Sequence, residues 1–192
     1  MSNVNSPKGF KPLRYSDGRP YNGAVNPYRL ASGYATNIFQ GDVVSFVAAG
    51  VINKAAAGTQ MRGVVVGFNW ISAAGVPMVQ NWWPASTVTL AGQNAVAFVI
   101  DDPNVIFEAV FTNSTSVPAQ ANMGYNFNLY DSGGSTGSGL SGEGVDFTTA
   151  TTSAAQFQFL EFLQRADNDP TSAYSRGQFL PKSHDFRVLT GI

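Results

Sequence analysis

The sequence predicts an all-β fold, a small β-barrel or sandwich, on three observations. β-Branched and aromatic residues gather in short runs, turn-forming Gly, Pro, Asn and Asp separate those runs, and no stretch carries the apolar spacing of an amphipathic helix. Residues 1–36 stand apart and predict an extended irregular N-terminal arm; residues 37–192 predict the barrel or sandwich domain.

Within the first 30 residues, Pro7, Pro12, Pro20 and Pro27 and the glycines Gly9, Gly18 and Gly23 break any helical or alternating period. Phe10, Leu13, Tyr15, Tyr21, Tyr28 and Leu30 keep the stretch from being low-complexity. Aromatics spaced along an irregular basic arm suggest a segment ordered by a partner, or else one folded back on its own domain. Strand-like runs begin at Val43–Val47 and continue through Val51–Lys54, Met61–Ile71, the shorter Val79–Trp83, Thr87–Leu90 and Ala95–Ile100. Asp101-Asp102-Pro103-Asn104 reads as a turn, with Val105–Phe111 as the returning strand. One helical turn is expected at Ala119–Met123. A long Gly/Ser-rich loop centres on Gly133–Gly139, inside an excursion of about residues 131–155. Phe157–Leu163 and Phe186–Leu189 are expected to close the barrel.

Composition removes much ordinary chemistry. With no cysteine, the chain has no disulfide scaffold, thiolate metal site or cysteine nucleophile. The single histidine, His184, excludes a multi-histidine metal centre within one chain. Gly63–Ile100 is uncharged but broken by prolines, asparagines and glycines, and it never gives the ~18 apolar residues of a membrane helix, so no membrane partner is expected. The N-terminus carries no charged-then-apolar leader pattern.

Charge is unevenly placed. Residues 1–30 hold Lys8, Lys11, Arg14, Arg19 and Arg29 against Asp17, a local net of +4, while the remainder carries −5 for a total of −1. Such an arm is suited to an acidic partner. No nucleic-acid module is visible, so the expected partner is protein.

Candidate sites for chemistry have plainer readings. Asp101 with Asp102, and Asp167 with Asp169, could be taken for calcium ligands, but neither loop offers the six to eight oxygens required, and turn caps explain both. Gly133–Gly139 lacks the lysine of a phosphate loop. His184 lies beside Asp185, yet neighbouring side chains on a strand face opposite ways, so no triad, no cofactor and no catalytic activity are expected. Trp82-Trp83 should split into one core and one more exposed ring.

Several segments, in shared order, resemble the capsid decoration (cement) proteins of tailed bacteriophages. They are Gly9-Phe10-Lys11-Pro12-Leu13-Arg14-Tyr15, Gly18-Arg19-Pro20-Tyr21-Asn22-Gly23, Asn26-Pro27-Tyr28, Ile38-Phe39-Gln40-Gly41-Asp42-Val43-Val44, Arg62-Gly63-Val64-Val65-Val66-Gly67-Phe68 and Ile100–Glu108. Phe159-Leu160-Glu161-Phe162 and Arg165-Ala166-Asp167-Asn168 are similar more loosely, and Leu180–Asp185 departs from the regular amide-rich ending of that group. The resemblance implies a non-enzymatic virion protein on the outer capsid surface, made in the bacterial host cytoplasm. Its partners would be the major capsid protein and further copies of itself, as a homotrimer. The capsid-contact residues expected are Lys11, Arg14, Arg19, Tyr21, Tyr28 and Arg29. An independent arm also predicts that the barrel survives removal of residues 1–30. The competing expectation is a glycan- or receptor-binding β-domain of a phage fibre or tail, suggested by Trp82, Trp83 and the Gly/Ser loop.

Overall fold

A computed structural model of the chain describes residues 3–112 and 117–187. The N-terminal stretch supplies β1 (Lys11–Tyr15) and β2 (Asn26–Leu30). Next come β3 (Ile38–Phe39), β4 (Val43–Val47), β5 (Val51–Lys54) and β6 (Gly63–Ile71). They are followed by β7 (Pro77–Gln80), β8 (Trp82–Trp83), β9 (Ala95–Ile100) and β10 (Val105–Thr112). After a 3-10 turn at Gln120–Asn122, the strands are β11 (Asn126–Tyr130), β12 (Gly144–Thr151), β13 (Phe157–Phe162) and β14 (Arg176–Pro181). The all-β expectation holds.

The later strands close on themselves. β10, β12, β11, β13 and β14 pair in that order, and β14 returns to β10, so five strands form a closed barrel. β1 lies antiparallel along the first half of β10, opposite Val105–Glu108, and β12 takes over at Phe111. β10 is therefore buried along its whole length, which accounts for its largely apolar run, interrupted by Glu108. Its inward residues Val105, Phe107, Ala109 and Phe111 meet Phe127, Phe157, Phe159 and Phe179. Phe111 sits at the centre, with five other phenylalanine rings within 6.4 Å, four of them edge to face and Phe162 tilted.

The second sheet runs β2-β9-β6-β4-β5, with β7 on the far part of β6. Alternation lets it serve two cores at once. Val43, Val64 and Ile100 face the barrel, while Val44, Val65 and Val99 face a cluster built around Trp83, Trp70 and Phe68. Gly63 is required where β6 meets β9, because a Cβ there would stand 2.2 Å from the Ile100 carbonyl oxygen.

Among the described residues, the stretch 3–36 is not a free-standing arm. β1 joins the barrel sheet and β2 the second sheet, while Phe10, Tyr15 and Leu30 are core residues. Proline is accommodated because Pro12 and Pro27 lie on strands at the ends of their sheets, where a missing N–H costs no ladder bond. Removing residues 1–30 would take β1 and β2 from the ends of the two sheets, while the five strands that close the barrel lie outside that segment.

Three smaller expectations are also corrected. Thr87–Leu90 forms only an isolated bridge at Thr89, whose amide and hydroxyl are bound by Ser32 Oγ and the Gln93 carbonyl. The excursion at 131–155 contains β12 and reduces to a loop over 131–143. Asp185–Arg187 is a 3-10 turn and not a strand; Val188 and Leu189 lie outside the described residues.

Candidate functional site

The six residues expected to contact a partner divide into two groups. Lys11, Arg19 and Arg29 are exposed; Arg14, Tyr21 and Tyr28 are half-buried and work within the fold. Arg14 donates to Gln178 Oε1 at 3.1 Å, and Gln178 in turn donates to Glu161. Tyr21 donates its hydroxyl to the Ala24 carbonyl at 2.6 Å, and burial raises its pKa to about 12. Tyr28 donates to Asp101 and lies 4.8 Å beneath the Arg62 guanidinium; burial and then the Asp101 bond raise it to about 12 as well. Arg19 is exposed but engaged locally, bound to Asp17 at 2.8 Å and placed over the Tyr15 ring. The two bonds from Arg19, backbone first, hold the Asp17 carboxyl below its usual range. Lys11 belongs to the barrel sheet and Arg29 to the second sheet, so the six form no single cluster.

Sequence reading missed a buried ionic centre under the Gly/Ser loop. Lys54, at the end of β5, reaches Asp131 at 2.6 Å, Glu143 at 3.3 Å and Asp42 at 4.0 Å. Asp42 and Glu143 have no exposed surface. Each is held by one backbone amide: Phe39 N–H donates to Asp42, and Val43 N–H donates to Glu143, both at 2.8 Å. Burial, and then the neighbouring Asp42 carboxylate, pushes Glu143 well above the ordinary carboxyl range; burial raises Asp42 too. Burial opposes the Lys54 charge, but the surrounding carboxylates outweigh it and raise its pKa. The one hint in the sequence is that Lys54 is the sole cation between Arg29 and Arg62. With both inner carboxyls shut from solvent, the cluster's chemistry is attachment: it fastens the 131–143 loop to β4 and β5. Gly139 and Ser141 add backbone bonds to Gln40, and Ser138 accepts from Asn81.

The other candidates resolve into structural roles. Asp101 accepts from Asn26 and Tyr28, and Asp102 caps Asn104 N–H. Asp169 accepts from Thr171 and Ser172, which lowers it to about 2. His184 is buried and takes the Phe186 amide on Nδ1; burial, and then the Arg62 charge, lowers it to about 4, so it is neutral at pH 7. Asp185 instead accepts from Gln60 and faces Arg62 at 3.6 Å, leaving no His–Asp couple. Gly133-Gly134-Ser135-Thr136-Gly137 has the letter spacing of a nucleophile elbow, which the sequence reading did not count. It lacks the strand–turn–helix setting: Ser135 bridges to Leu140 in the loop, whereas His184 bridges to Met61.

Trp83 is fully buried and donates its indole N–H to the Tyr34 carbonyl, while Trp82 stacks on Phe39 with ring centroids 5.6 Å apart. One ring in the core and one at its margin was the expectation. Trp83 is therefore closed to a sugar ligand, while Trp82 is half-buried with one ring face on Phe39.

The most open chemistry lies along residues 8–11. Gly9 adopts φ +68°, and a Cβ there would fall 2.5 Å from the Gly41 carbonyl oxygen, so the chain is pressed against the body at this point. Phe10 N–H donates to that oxygen at 2.9 Å, and the Phe10 ring stacks on Phe157 at 4.5 Å. Lys8 and Lys11, on either side of this anchor, are exposed. No family model, no curated protein and no solved structure matches this chain.

Proposed function

We propose that this chain is a structural virion protein, a capsid decoration (cement) protein that binds the outer surface of an icosahedral phage shell and bridges neighbouring capsomers. The observation that carries the reading is the N-terminal segment: it is welded into both sheets through β1 and β2 while its cations Lys8, Lys11 and Arg29 stay on the surface. Exposed cations carried on ordered strands meet an acidic shell without the cost of ordering a loose arm. Many such contacts, repeated over a lattice, give firm attachment from weak individual sites.

Association with further copies, as a homotrimer, is supported by the second sheet. No ionisable side chain occurs from Gly63 to Ile100, and Val76, Val79 and Val88 are exposed there. The major capsid protein is the other partner in this reading.

Quantitative mass spectrometry of purified virions tests it. Hundreds of copies in fixed ratio to the main shell protein are expected; a few dozen copies would move the protein to the tail or fibres, and none would end the virion reading. Attachment of purified protein to undecorated shells should weaken as salt rises.

A further inference from the structure

Two hollows flank the anchored segment at residues 8–11. One, of about 210 Å³, is apolar and lies between the N-terminal segment and the second sheet, lined by Pro12, Tyr21, Val25, Val66 and Leu140. The other, of about 290 Å³, is polar and lies over β10, lined by Ser6, Glu108, Arg165, Asp167 and Arg176. Lys8 and Lys11 border both.

The charges in the polar hollow are only partly matched. Glu108 receives both nitrogens of Arg165, at 2.8 and 3.1 Å, and Asp167 receives Arg176 at 2.7 Å. Both carboxylates are therefore spoken for, and among the described residues the Lys8 and Lys11 ammonium groups meet no carboxylate within ion-pair distance. Two exposed, unmatched cations on an anchored backbone beside an apolar recess ask for two anions beside an apolar side chain.

Size narrows the occupant. The apolar hollow is smaller than the ~300 Å³ at which small-molecule sites begin, yet it has room for one large side chain. A nucleic acid would find a carboxylate-bearing wall at Glu108 and Asp167 and only two free cations, too few for a backbone-tracking site.

We infer that residues 8–11 form the ridge of a peptide cleft that takes an extended acidic segment of a partner protein. Carboxylates of that segment pair with Lys8 and Lys11, and one aliphatic or aromatic side chain enters the hollow beneath Tyr21 and Val25. The Gly9 and Phe10 anchor holds the two lysines apart before binding, so little ordering is needed when the segment arrives. The inference rests on the attachment reading for the partner's identity, a shell protein, but its chemistry stands on the cleft alone.

The test uses the full chain and dye-labelled octapeptides in which Asp or Glu flank a single Leu or Phe, read by fluorescence anisotropy. Binding is expected. It should fall tenfold or more in the Lys8→Glu, Lys11→Glu double variant, and also in Val25→Trp, which fills the hollow from its rim. Peptides with Lys in place of the acids, or Ser in place of the acids with Leu retained, should bind at least tenfold more weakly. Unchanged melting curves would show both variants folded. No binding by any acidic peptide, indifference to both variants, or equal binding of oligothymidylate overturns the cleft. So does loss of self-association in the double variant, because the occupant is then a second copy. Shell attachment measured in parallel separates the two ideas. Attachment untouched by the double variant sinks the cleft and leaves the decoration reading resting on Arg29 and on copy number in virions, whereas peptide binding without shell attachment keeps the cleft and sinks the decoration reading.

Discussion

The barrel and the second sheet solve the same problem by opposite means. In the barrel, five strands close, every inward side chain points at one axis, and phenylalanine fills the space: Phe107, Phe111, Phe127, Phe157, Phe159 and Phe179. The second sheet is covered on its inner face by aliphatic residues and by Trp70 and Trp83, and it stays open, with β2 and β5 at its ends and β7 on the far part of β6, the other edge of β7 pairing with nothing among the described strands. Closure removes sheet edges and leaves little backbone for a partner; an open edge leaves both backbone and apolar side chains within reach. The difference teaches where each kind of contact can occur. The barrel offers charged side chains mounted on a rigid wall, and the β6, β7 and β9 part of the second sheet, free of ionisable side chains, offers a neutral surface suited to a like neighbour.

The largest expected effect breaks the barrel at its centre. Phe111→Ala should cost about 3–5 kcal/mol, because five ring neighbours lose their packing around a site that closure prevents from collapsing. Trp70 and Trp83 belong to the core of the second sheet, and Trp82 lies beside Trp83 in the β3–β8 pair, so none of the three tryptophans sits in the barrel core and their fluorescence reports on the other region. Since Val43, Val64 and Ile100 tie the second sheet to the barrel, urea midpoints from tryptophan fluorescence and from far-ultraviolet circular dichroism should shift together in this variant. Two separated midpoints would mean that the regions unfold independently.

A smaller effect concerns the ionic centre that joins the loop to the second sheet. The folded-state pKa of Glu143 lies well above its ordinary 4.5, so the folded form holds this proton more tightly than the unfolded form does. Stability from this group is therefore lost as pH rises from 4.5 towards the folded value. Glu143→Gln removes that loss, and its melting temperature relative to the parent should climb by a few degrees between pH 5 and pH 8. His184 acts in the other direction. Its pKa falls from 6.5 to about 4, so its contribution is complete above 6.5 and disappears as pH falls towards 4. His184→Gln should flatten the stability profile across that window. Parallel calorimetric profiles for parent and variants would discard both assignments.

The smallest effect on stability falls on the open edge. Val79 is 79% exposed, and Val79→Lys should change the unfolding free energy by less than about 0.5 kcal/mol. A charge on that strand should nonetheless reduce self-association in sedimentation velocity, if neutral surfaces of two copies meet there. Unaltered association would move the contact between copies elsewhere.

Local chemistry made the fold class legible: β-branched runs, turn residues and the absence of helical spacing put strands at Val43–Val47, Val51–Lys54, Ala95–Ile100 and Val105–Phe111, the last extended by one residue in the fold, and the turn at Asp101–Asn104 between the last two. Length, charge asymmetry and the lack of cysteine are likewise properties of the chain alone. Tertiary structure decided the rest, because the deciding partners are far apart in sequence. Proline and glycine density in residues 1–30 argued for an irregular arm, but β1 and β2 draw their order from β10 and β9, over 65 residues away. Lys54 looked like an ordinary surface cation until Asp42, Asp131 and Glu143 converged on it. Of the six contact residues read from the sequence, Arg14, Tyr21 and Tyr28 proved to be held by the fold, since a residue type states what a side chain can bind and only its neighbours determine whether it is free to do so.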